Sequence, residues 1–293
     1  MKKASLLLLP ALLWLTACDQ PAVEPTPVTT SAGARVAAAP TRDDHLALGN
    51  PSGATASSVF PTNYLLVKPQ YSGSYHQAKG TANWVSWHLS QAWLGSTNRQ
   101  DNFRPDASLP AGWYRVTPAD YVGSGFDRGH LCPSGDRTGT AGDNSATFLM
   151  TNMVPQAPNN NQRIWEQLES YCRSLAKAGN ELYIVAGPSG SGGSGSNGGT
   201  TRTLASGKVT VPASVWKVVV VLPVGSGDPG RVSPSTRVIA VRMPNTQSVS
   251  TRGWEYYRTS VDELERLTGY DFLSRVPVSV QAVVEARVDG QSL

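Results

Sequence analysis

Cysteine is scarce in this chain, with three residues among 293. They form no CxxC pair, and no His/Cys spacing suits tetrahedral zinc, which argues against a structural zinc site. Setting aside Cys18, near the amino terminus, leaves Cys132 and Cys172 as an even pair. Such a pair can form a disulfide in an exported protein, but the sequence does not place their Cα atoms within bridging distance. The pairing of Cys132 with Cys172 is therefore left open.

Long hydrophobic runs are also lacking. The run Leu6–Leu15 follows two lysines and spans about ten residues, which is shorter than a membrane-spanning helix and typical of a signal peptide. Small residues lead directly into Cys18, as at the processing site of bacterial lipoproteins. We therefore predict a lipoprotein signal peptide over residues 1–17 and a lipid on Cys18, which would anchor an exported protein to the membrane of the bacterial cell envelope. The alternative is an ordinary signal peptide with an incidental cysteine.

Charged residues make up only 16% of the chain, and the formal net charge is +4. Two of the positive charges, Lys2 and Lys3, belong to the predicted signal peptide. Net charge is thus a weak argument for nucleic-acid binding, and particular arginines must carry that argument. The 40% of apolar residues and the eight tryptophans indicate a packed core.

Residues 18–58 are rich in Pro, Ala, Thr and Ser and show no apolar period. This composition predicts a flexible tether, with the folded domain over residues 59–293. The Gly/Ser-rich segment 187–199 is predicted to be a mobile loop, because it has few side chains that could build a core.

Helical and strand-like patterns alternate within the predicted domain. One helix is predicted from Asn160 to Lys177, before Gly179, and another from Ser260 to Gly269 with a capping box at its start. Without internal repeats, the pattern predicts a single α+β domain around a central mixed or antiparallel sheet. The strand-like runs are Tyr64–Val67, Trp84–Leu89, Glu181–Ala186, Val215–Leu222 and Arg237–Val241.

The stretch 126–134, FDRGHLCPS, contains the strongest candidate for a general base. Hydrolysis of a phosphodiester needs a group that takes a proton from water, and His130 has an ordinary pKa near 6.5 that leaves it mostly neutral at pH 7. Gly129 beside it would let a substrate backbone approach closely. The alternative is a structural histidine, which the flanking Asp127 and Arg128 make less attractive.

Three polar residues follow on the predicted helix. Asn161 and Glu169 are separated by about 80° in projection and roughly 12 Å along the helix axis, too far to grip one bare ion together. A hydrated cation could bind the Asn161 oxygen directly and the Glu169 carboxylate through water, as Mg²⁺ commonly does. Arg173 lies on the same helix face as Glu169. A solvated helix face with a routine ion pair is the alternative.

Taken together, these motifs resemble the DNA/RNA non-specific endonucleases, the endonuclease G-like ββα-metal nucleases. The matching motifs are Asp-Arg-Gly-His at 127–130, Asn-Met-x-Pro-Gln at 152–156 and Asn-Gln-x-x-Trp-x-x-Leu-Glu at 161–169. The similarity runs over about residues 60–285. It implies two strands and a helix around one metal ion, with helices packed on the sheet.

The resemblance also implies a role for each site residue. His130 would be the general base, Asn161 the direct ligand of Mg²⁺, with Mn²⁺ as a substitute, and Glu169 a ligand through water. Asp127 would support the loop geometry, and Asn152 would orient His130 or a neighbour. The residues implied to hold phosphate or stabilise the transition state are Arg99, Arg128 and Arg173.

The expected substrates are DNA and RNA, cut without base preference. All of these residues suit phosphate, metal or water, and backbone contacts carry no direct base information. Two alternatives stay open at this point: a nucleic-acid-binding protein with a dead site, and a phosphodiesterase for small nucleotides or lipids. A protein inhibitor is a further conceivable partner that the sequence does not identify.

Overall fold

The structure is a computed structural model, and it describes residues 38–291. The predicted signal peptide, the lipidation site Cys18 and most of the predicted tether lie outside the described residues. Within residues 38–291, no helix is both long and apolar enough to cross a membrane.

A seven-stranded sheet forms the centre of the fold, in the order β1-β2-β3-β6-β9-β10-β11. All of its neighbouring strands run antiparallel, which confirms the predicted α+β class with its antiparallel alternative. Two short strand pairs, β4 with β5 and β7 with β8, stand apart from it. The strands are β1 Tyr64–Val67, β2 Ser72–His76, β3 Thr81–Leu89, β4 Asp127–His130, β5 Met153–Gln156, β6 Asn180–Ser189, β7 Thr203–Leu204, β8 Val209–Thr210, β9 Ser214–Pro223, β10 Arg237–Pro244 and β11 Arg258–Thr259.

Both faces of the sheet are covered. Strand β9 shows this best, because Val215 and Val219 pack into one core whereas Trp216 and Val218 pack into the other. This alternation follows from the two-residue period of a strand. The run of β-branched residues at 215–222 is therefore a central strand that is buried on both sides, as predicted.

The helix predicted from Asn160 to Lys177 is present in two parts. A wide π-type turn over Asn160–Trp165 leads into helix α2 (Glu166–Lys177). Gly179 follows with φ +91°, a left-handed conformation suited to a helix end. Ser260 caps α4 (Val261–Thr268) by accepting the backbone N–H of Glu263, which is one half of the predicted capping box. The other half is absent, because the Glu263 carboxylate accepts from Arg266 instead. The helices are α1 Ala141–Ala146, α2 Glu166–Lys177, α3 Asp228–Arg231, α4 Val261–Thr268 and α5 Val278–Val284.

The packed chain begins earlier than the predicted tether boundary at residue 58. Leu48 and Ala54 are buried in the core that contains Trp216, and the His45 side chain is hydrogen-bonded to the Pro69 carbonyl. Thr55 forms a bridge with Tyr64 of β1. Too few apolar residues occur here to give a periodic signal, so the segment shows its packing only in three dimensions.

The Gly/Ser-rich segment 187–199, predicted to be a mobile loop, is instead fastened by backbone hydrogen bonds. Gly193 donates to Thr201, Ser194 to Asn245 and Ser196 to Gly125. A Cβ atom on Gly195 would lie 2.4 Å from the Gly125 carbonyl oxygen. Glycine here allows two backbones to approach closely, which composition alone does not distinguish from mobility.

Candidate active site

The strand pair β4–β5 and the helix after it bring the predicted motifs together. In the antiparallel pair, Asp127 lies opposite Gln156 and His130 opposite Met153. A Cβ atom on Gly129 would lie 2.1 Å from the Gln156 side-chain oxygen, so the strand needs glycine beside His130. The helix begins at Asn160, four residues after β5, and faces this pair across a cleft.

The cleft has a volume of about 470 Å³. All of the residues predicted for catalysis and metal binding line it, from strand β4, the loop before it, the π-type turn and helix α2. Those six residues are Arg99, Arg128, His130, Asn161, Glu169 and Arg173. The structure therefore places the predicted base and the predicted metal ligand on one cavity.

His130 is largely buried, against the rings of Phe148 at 4.9 Å and Phe103 at 5.7 Å between centroids. Its Nε2 is buried and has no hydrogen-bond partner among the described residues. Burial, and to a lesser degree Arg99 and Arg128, lowers the pKa of His130 to about 3. The imidazole is consequently neutral at physiological pH and holds a lone pair that can accept a proton.

Asn152 was predicted to orient His130 or a neighbour, and it makes its hydrogen bonds to a neighbour and not to the imidazole. Its side chain instead clamps the backbone just after His130: Nδ2 donates to the Cys132 carbonyl at 2.8 Å, and Oδ1 accepts from the Cys132 N–H at 3.0 Å. Nδ2 also donates to the Thr147 carbonyl. Asn152 thus fixes where the strand that carries His130 ends.

Asp127 has a more specific position than the predicted support of loop geometry. Its Oδ2 accepts hydrogen bonds from Asn161 Nδ2 and from Gln162 Nε2, both at 2.8 Å. An ionised carboxylate only accepts hydrogen bonds, so the NH₂ group of Asn161 must face Asp127. The Asn161 oxygen is thereby left without a hydrogen bond to any described residue and is available as a ligand.

Glu169 is buried at the base of the cleft. Desolvation raises its pKa to about 7, and the nearby cations Lys217 and Arg173 oppose that rise. Lys217 Nζ lies 3.9 Å from Glu169 Oε1. The site therefore contains a buried carboxyl group that has Lys217 as its partner on the sheet side.

The three predicted phosphate-binding arginines differ in how far they are already engaged. Arg173 donates to Asp136 at 3.2 Å, and its pKa is raised mainly by neighbouring carboxylates, which outweigh its burial. Arg99 pairs with Asp101 at 2.6 Å in an exposed position. Arg128 stacks over Phe103 at 4.1 Å, and its guanidinium makes no hydrogen bond with any described residue. Arg128 is the one best placed to take a new anionic partner.

Sequence reasoning missed two residues that shape the site. Asp136 is buried and accepts hydrogen bonds from Trp87 at 2.9 Å and from Arg173, so it holds the arginine in place. Lys217 had been assigned only to a buried strand. A lone charge within the apolar run 215–222 was the available signal for Lys217; nothing local distinguishes Asp136.

Two other groups of His and acidic side chains come close enough to hold an ion in residues 38–291, but neither includes a residue of the cleft. They are Asp43 with His88 and Glu181, and Asp262 with Glu265 and Glu285. In the first group, His88 Nδ1 accepts the Asp43 N–H, so Nε2 carries the ring proton and donates toward Glu181. That protonated nitrogen is a hydrogen-bond donor and not a metal ligand.

The disulfide left open between Cys132 and Cys172 is absent, and both residues are free, buried thiols. Burial raises the pKa of each to about 12. Since the thiolate is the reactive form, we expect both cysteines to resist iodoacetamide in the folded protein and to react in denaturant without prior reduction. Peptide mass spectrometry, which separates them from Cys18, checks this; a linked Cys132–Cys172 peptide from the unreduced protein would contradict it.

Known proteins are similar to this chain in sequence. The sequence matches the family model described as DNA/RNA non-specific endonuclease over residues 50–279. It is 58% identical over 246 residues to a nuclease from Nostoc sp., covering 84% of this chain and 86% of that protein. It is 32% identical over 208 residues to the mitochondrial nuclease EXOG of Xenopus laevis, covering 69% of this chain and 56% of that protein.

The fold is also similar to a solved structure. The crystal structure of the EndoG/EndoGI complex aligns with a TM-score of 0.65 and 23% sequence identity, covering 80% of this chain and 91% of that chain. The family match includes every cleft residue from Arg99 to Arg173. This chain belongs to the family of DNA/RNA non-specific endonucleases.

Proposed function

We propose that this endonuclease hydrolyses phosphodiester bonds in the cleft beside His130, using one hydrated divalent cation and His130 as general base. The observation that carries the proposal is that the His130 ring and the Asn161 side chain line the same cavity, together with three arginines. An anionic phosphate, a cation and a proton acceptor can therefore meet at one place.

The family depends on divalent metal, and the residues of the cleft fit a hydrated ion. Asn161 would hold the ion through its free amide oxygen, and Glu169 would bind one of the ion's waters. Few protein ligands and several retained waters are characteristic of Mg²⁺, with Mn²⁺ as the alternative. When bound, the ion supplies positive charge to the developing negative charge on the phosphate and the leaving oxygen.

The chain's own residues supply the rest of the reaction. Arg128 and Arg99 bind the phosphate oxygens. Anion binding also offsets the two positive charges that help to depress the His130 pKa, so the imidazole becomes a better base when substrate is present. His130 then accepts the proton of the attacking water. Phe103 and Phe148 limit the access of bulk water to the ring.

The same residues account for cutting both DNA and RNA. Attack by water does not use the ribose 2′-hydroxyl, and phosphate contacts do not distinguish bases. A second cavity of about 300 Å³ shares Arg99, Arg128 and Asn161 with the cleft. This extended surface favours a polynucleotide over a small nucleotide or lipid diester.

A nicking experiment tests the proposal. Supercoiled plasmid and a folded RNA are incubated with the protein in Mg²⁺, in Mn²⁺ and in EDTA, and a dinucleotide is assayed in parallel. We expect both polymers to be cut at internal positions with either metal, no cutting in EDTA and slow cleavage of the dinucleotide. Full activity in EDTA, or faster hydrolysis of the dinucleotide, would contradict the proposal.

Arg128→Ala is expected to weaken DNA binding and to reduce the salt dependence of that binding. Each phosphate contact contributes a slope of roughly −0.9 in log K against log salt, so the slope should fall by about one unit. Anisotropy titrations with labelled DNA at several salt concentrations measure this. Arg163→Ala, an exposed arginine outside the cleft, is the control; equal slopes for wild type and Arg128→Ala would remove Arg128 from phosphate binding.

We further propose a lipid anchor on Cys18 and a site of action in the bacterial cell envelope. The sequence before Cys18 supports this, and the residues lie outside the described structure. Cys18→Ser should move the protein from the detergent phase to the aqueous phase in a Triton X-114 partition of expressing cells. Equal partition of both forms would leave Cys18 as an incidental cysteine of an ordinary signal peptide.

A protein inhibitor that covers the cleft is a further proposed partner. It is suggested by the structurally similar EndoG, which is described in a complex with EndoGI. Adding purified EndoGI to the nicking assay should slow cutting if the covered surface is shared, whereas unchanged rates at excess EndoGI would argue against that partner.

A further inference from the structure

Lys217 places a positive charge where the fold otherwise has a hydrophobic core. It lies in the middle of β9, paired with Ala186 of β6 and Val241 of β10, and is 1% exposed. Its face of the strand is shared with Val215 and Val219. Taking an ammonium out of water is strongly unfavourable, and an apolar side chain of similar length would serve the core better.

Among the described residues around Lys217, one carboxyl group lies close to its ammonium group, that of Glu169. Nζ lies 4.1 Å from the centroid of the Trp165 ring and 5.6 Å from that of Trp87, so aromatic faces support the charge on the core side. Glu169 Oε1, at 3.9 Å, is the sole carboxylate oxygen of residues 38–291 within 4.0 Å of Nζ. Trp165 and Glu169 are four residues apart on the helix and so lie on the same face.

Glu169 depends on Lys217 in return. Its carboxylate makes no hydrogen bond with any described residue, and within 4.0 Å Lys217 is its one cationic partner in the described chain. Arg173, which could have paired with it, is committed to Asp136 and Glu166. The orientation of the Glu169 carboxyl group is therefore set from the core side, by a residue of the sheet.

We propose that Lys217 is a positioning residue of the nuclease: from the core side it holds the Glu169 carboxyl group in place and directs it at the cation bound by Asn161. Lys217 itself touches neither substrate nor metal. The inference rests on the proposed function, because it assigns Lys217 to the carboxylate that would bind a water of the metal. It explains why a buried strand carries a lysine.

The test measures metal binding without turnover. In the full chain carrying His130→Ala, Mn²⁺ affinity is measured by electron paramagnetic resonance of the free ion, with no nucleic acid present. Lys217→Met, which keeps the length and loses the charge, should weaken Mn²⁺ binding by about 10–100-fold, the usual range for a partner behind a ligand. Val219→Ala, two residues along the same face, should lower Tm and leave the Mn²⁺ affinity unchanged.

A double-mutant cycle separates positioning from a general packing effect. In a Glu169→Gln background, adding Lys217→Met should cause no further loss of Mn²⁺ affinity, because the carboxyl group through which Lys217 acts has already been removed. With His130 intact, Lys217→Met should lower kcat and leave KM for DNA unchanged. If Lys217→Met fails to fold, Lys217→Gln takes its place in both measurements.

The possible outcomes distinguish the role of Lys217 from the proposed nuclease function. Wild-type Mn²⁺ affinity in folded Lys217→Met, or equal losses with and without Glu169, would overturn the role of Lys217 and leave the nuclease assignment intact. A wild-type protein that neither binds Mn²⁺ nor nicks DNA would overturn the proposed function itself.

Discussion

His130→Ala is expected to lower kcat by about 10²–10⁴-fold, the range that a positioned proton acceptor typically contributes. The imidazole lies within the cleft, is held neutral by burial and by the nearby arginines, and has no competing hydrogen bond among the described residues. Removing it leaves the arginines that bind phosphate in place. DNA affinity, measured by anisotropy in EDTA, should therefore change little while kcat on plasmid DNA collapses.

The control for this change is His76→Ala, at the end of β2 and outside the cleft. It should retain wild-type kcat. Turnover near the wild-type rate in His130→Ala would remove His130 as the base. If Glu169→Gln then abolished turnover, Glu169 would be assigned as the general base in place of His130.

Asn161→Ala is expected to have the second large effect, on the metal requirement. Losing a partner behind a ligand costs about 10–100-fold in metal affinity, and losing the direct ligand should cost at least as much. The half-saturating Mg²⁺ concentration for nicking should rise accordingly, with partial recovery of the rate at high Mg²⁺. The change also removes one of the two side-chain amides that donate hydrogen bonds to Asp127.

Asn159→Ala is the matched control for Asn161. Asn159 lies two residues earlier, and its side chain is hydrogen-bonded to Gln247, away from the cleft. Its Mg²⁺ titration should overlay that of the wild type. An unchanged titration in Asn161→Ala would contradict direct ligation and would leave the cation to be held by carboxylates alone.

Much of the site could be predicted from sequence because its residues come in short, ordered motifs. The glycine stop and the apolar period predicted a helix here, so the spacing of Glu169 and Arg173 on α2 followed from helix geometry. The wide π-type turn that carries Asn161 did not, because a regular α-helix was expected there. The partners of these side chains could not be predicted in the same way. Asp136 and Lys217 approach Arg173 and Glu169 from other elements, and no local pattern links them.

The start of the folded domain is a second feature that local sequence patterns did not predict. Leu48 and Ala54 lie in a stretch with the composition of a tether, yet they fill a core built from distant strands. Likewise, the glycines of segment 187–199 indicate mobility by composition and serve close backbone packing in the fold. Composition indicates the intrinsic flexibility of a segment, but it does not indicate which other residues the segment packs against in the fold.

By itself, the sequence determined five of the seven central strands, the two main helices, the family motifs and the polar residues suited to phosphate, metal and water. These features depend on neighbours along the chain. Only the tertiary structure decided that Asp127 turns the Asn161 oxygen outward, that burial lowers the pKa of His130 and that Lys217 lies behind Glu169. Those features depend on contacts between separate elements and on the exclusion of water between them. Hydrogen-bond direction and proton affinity are set by that environment.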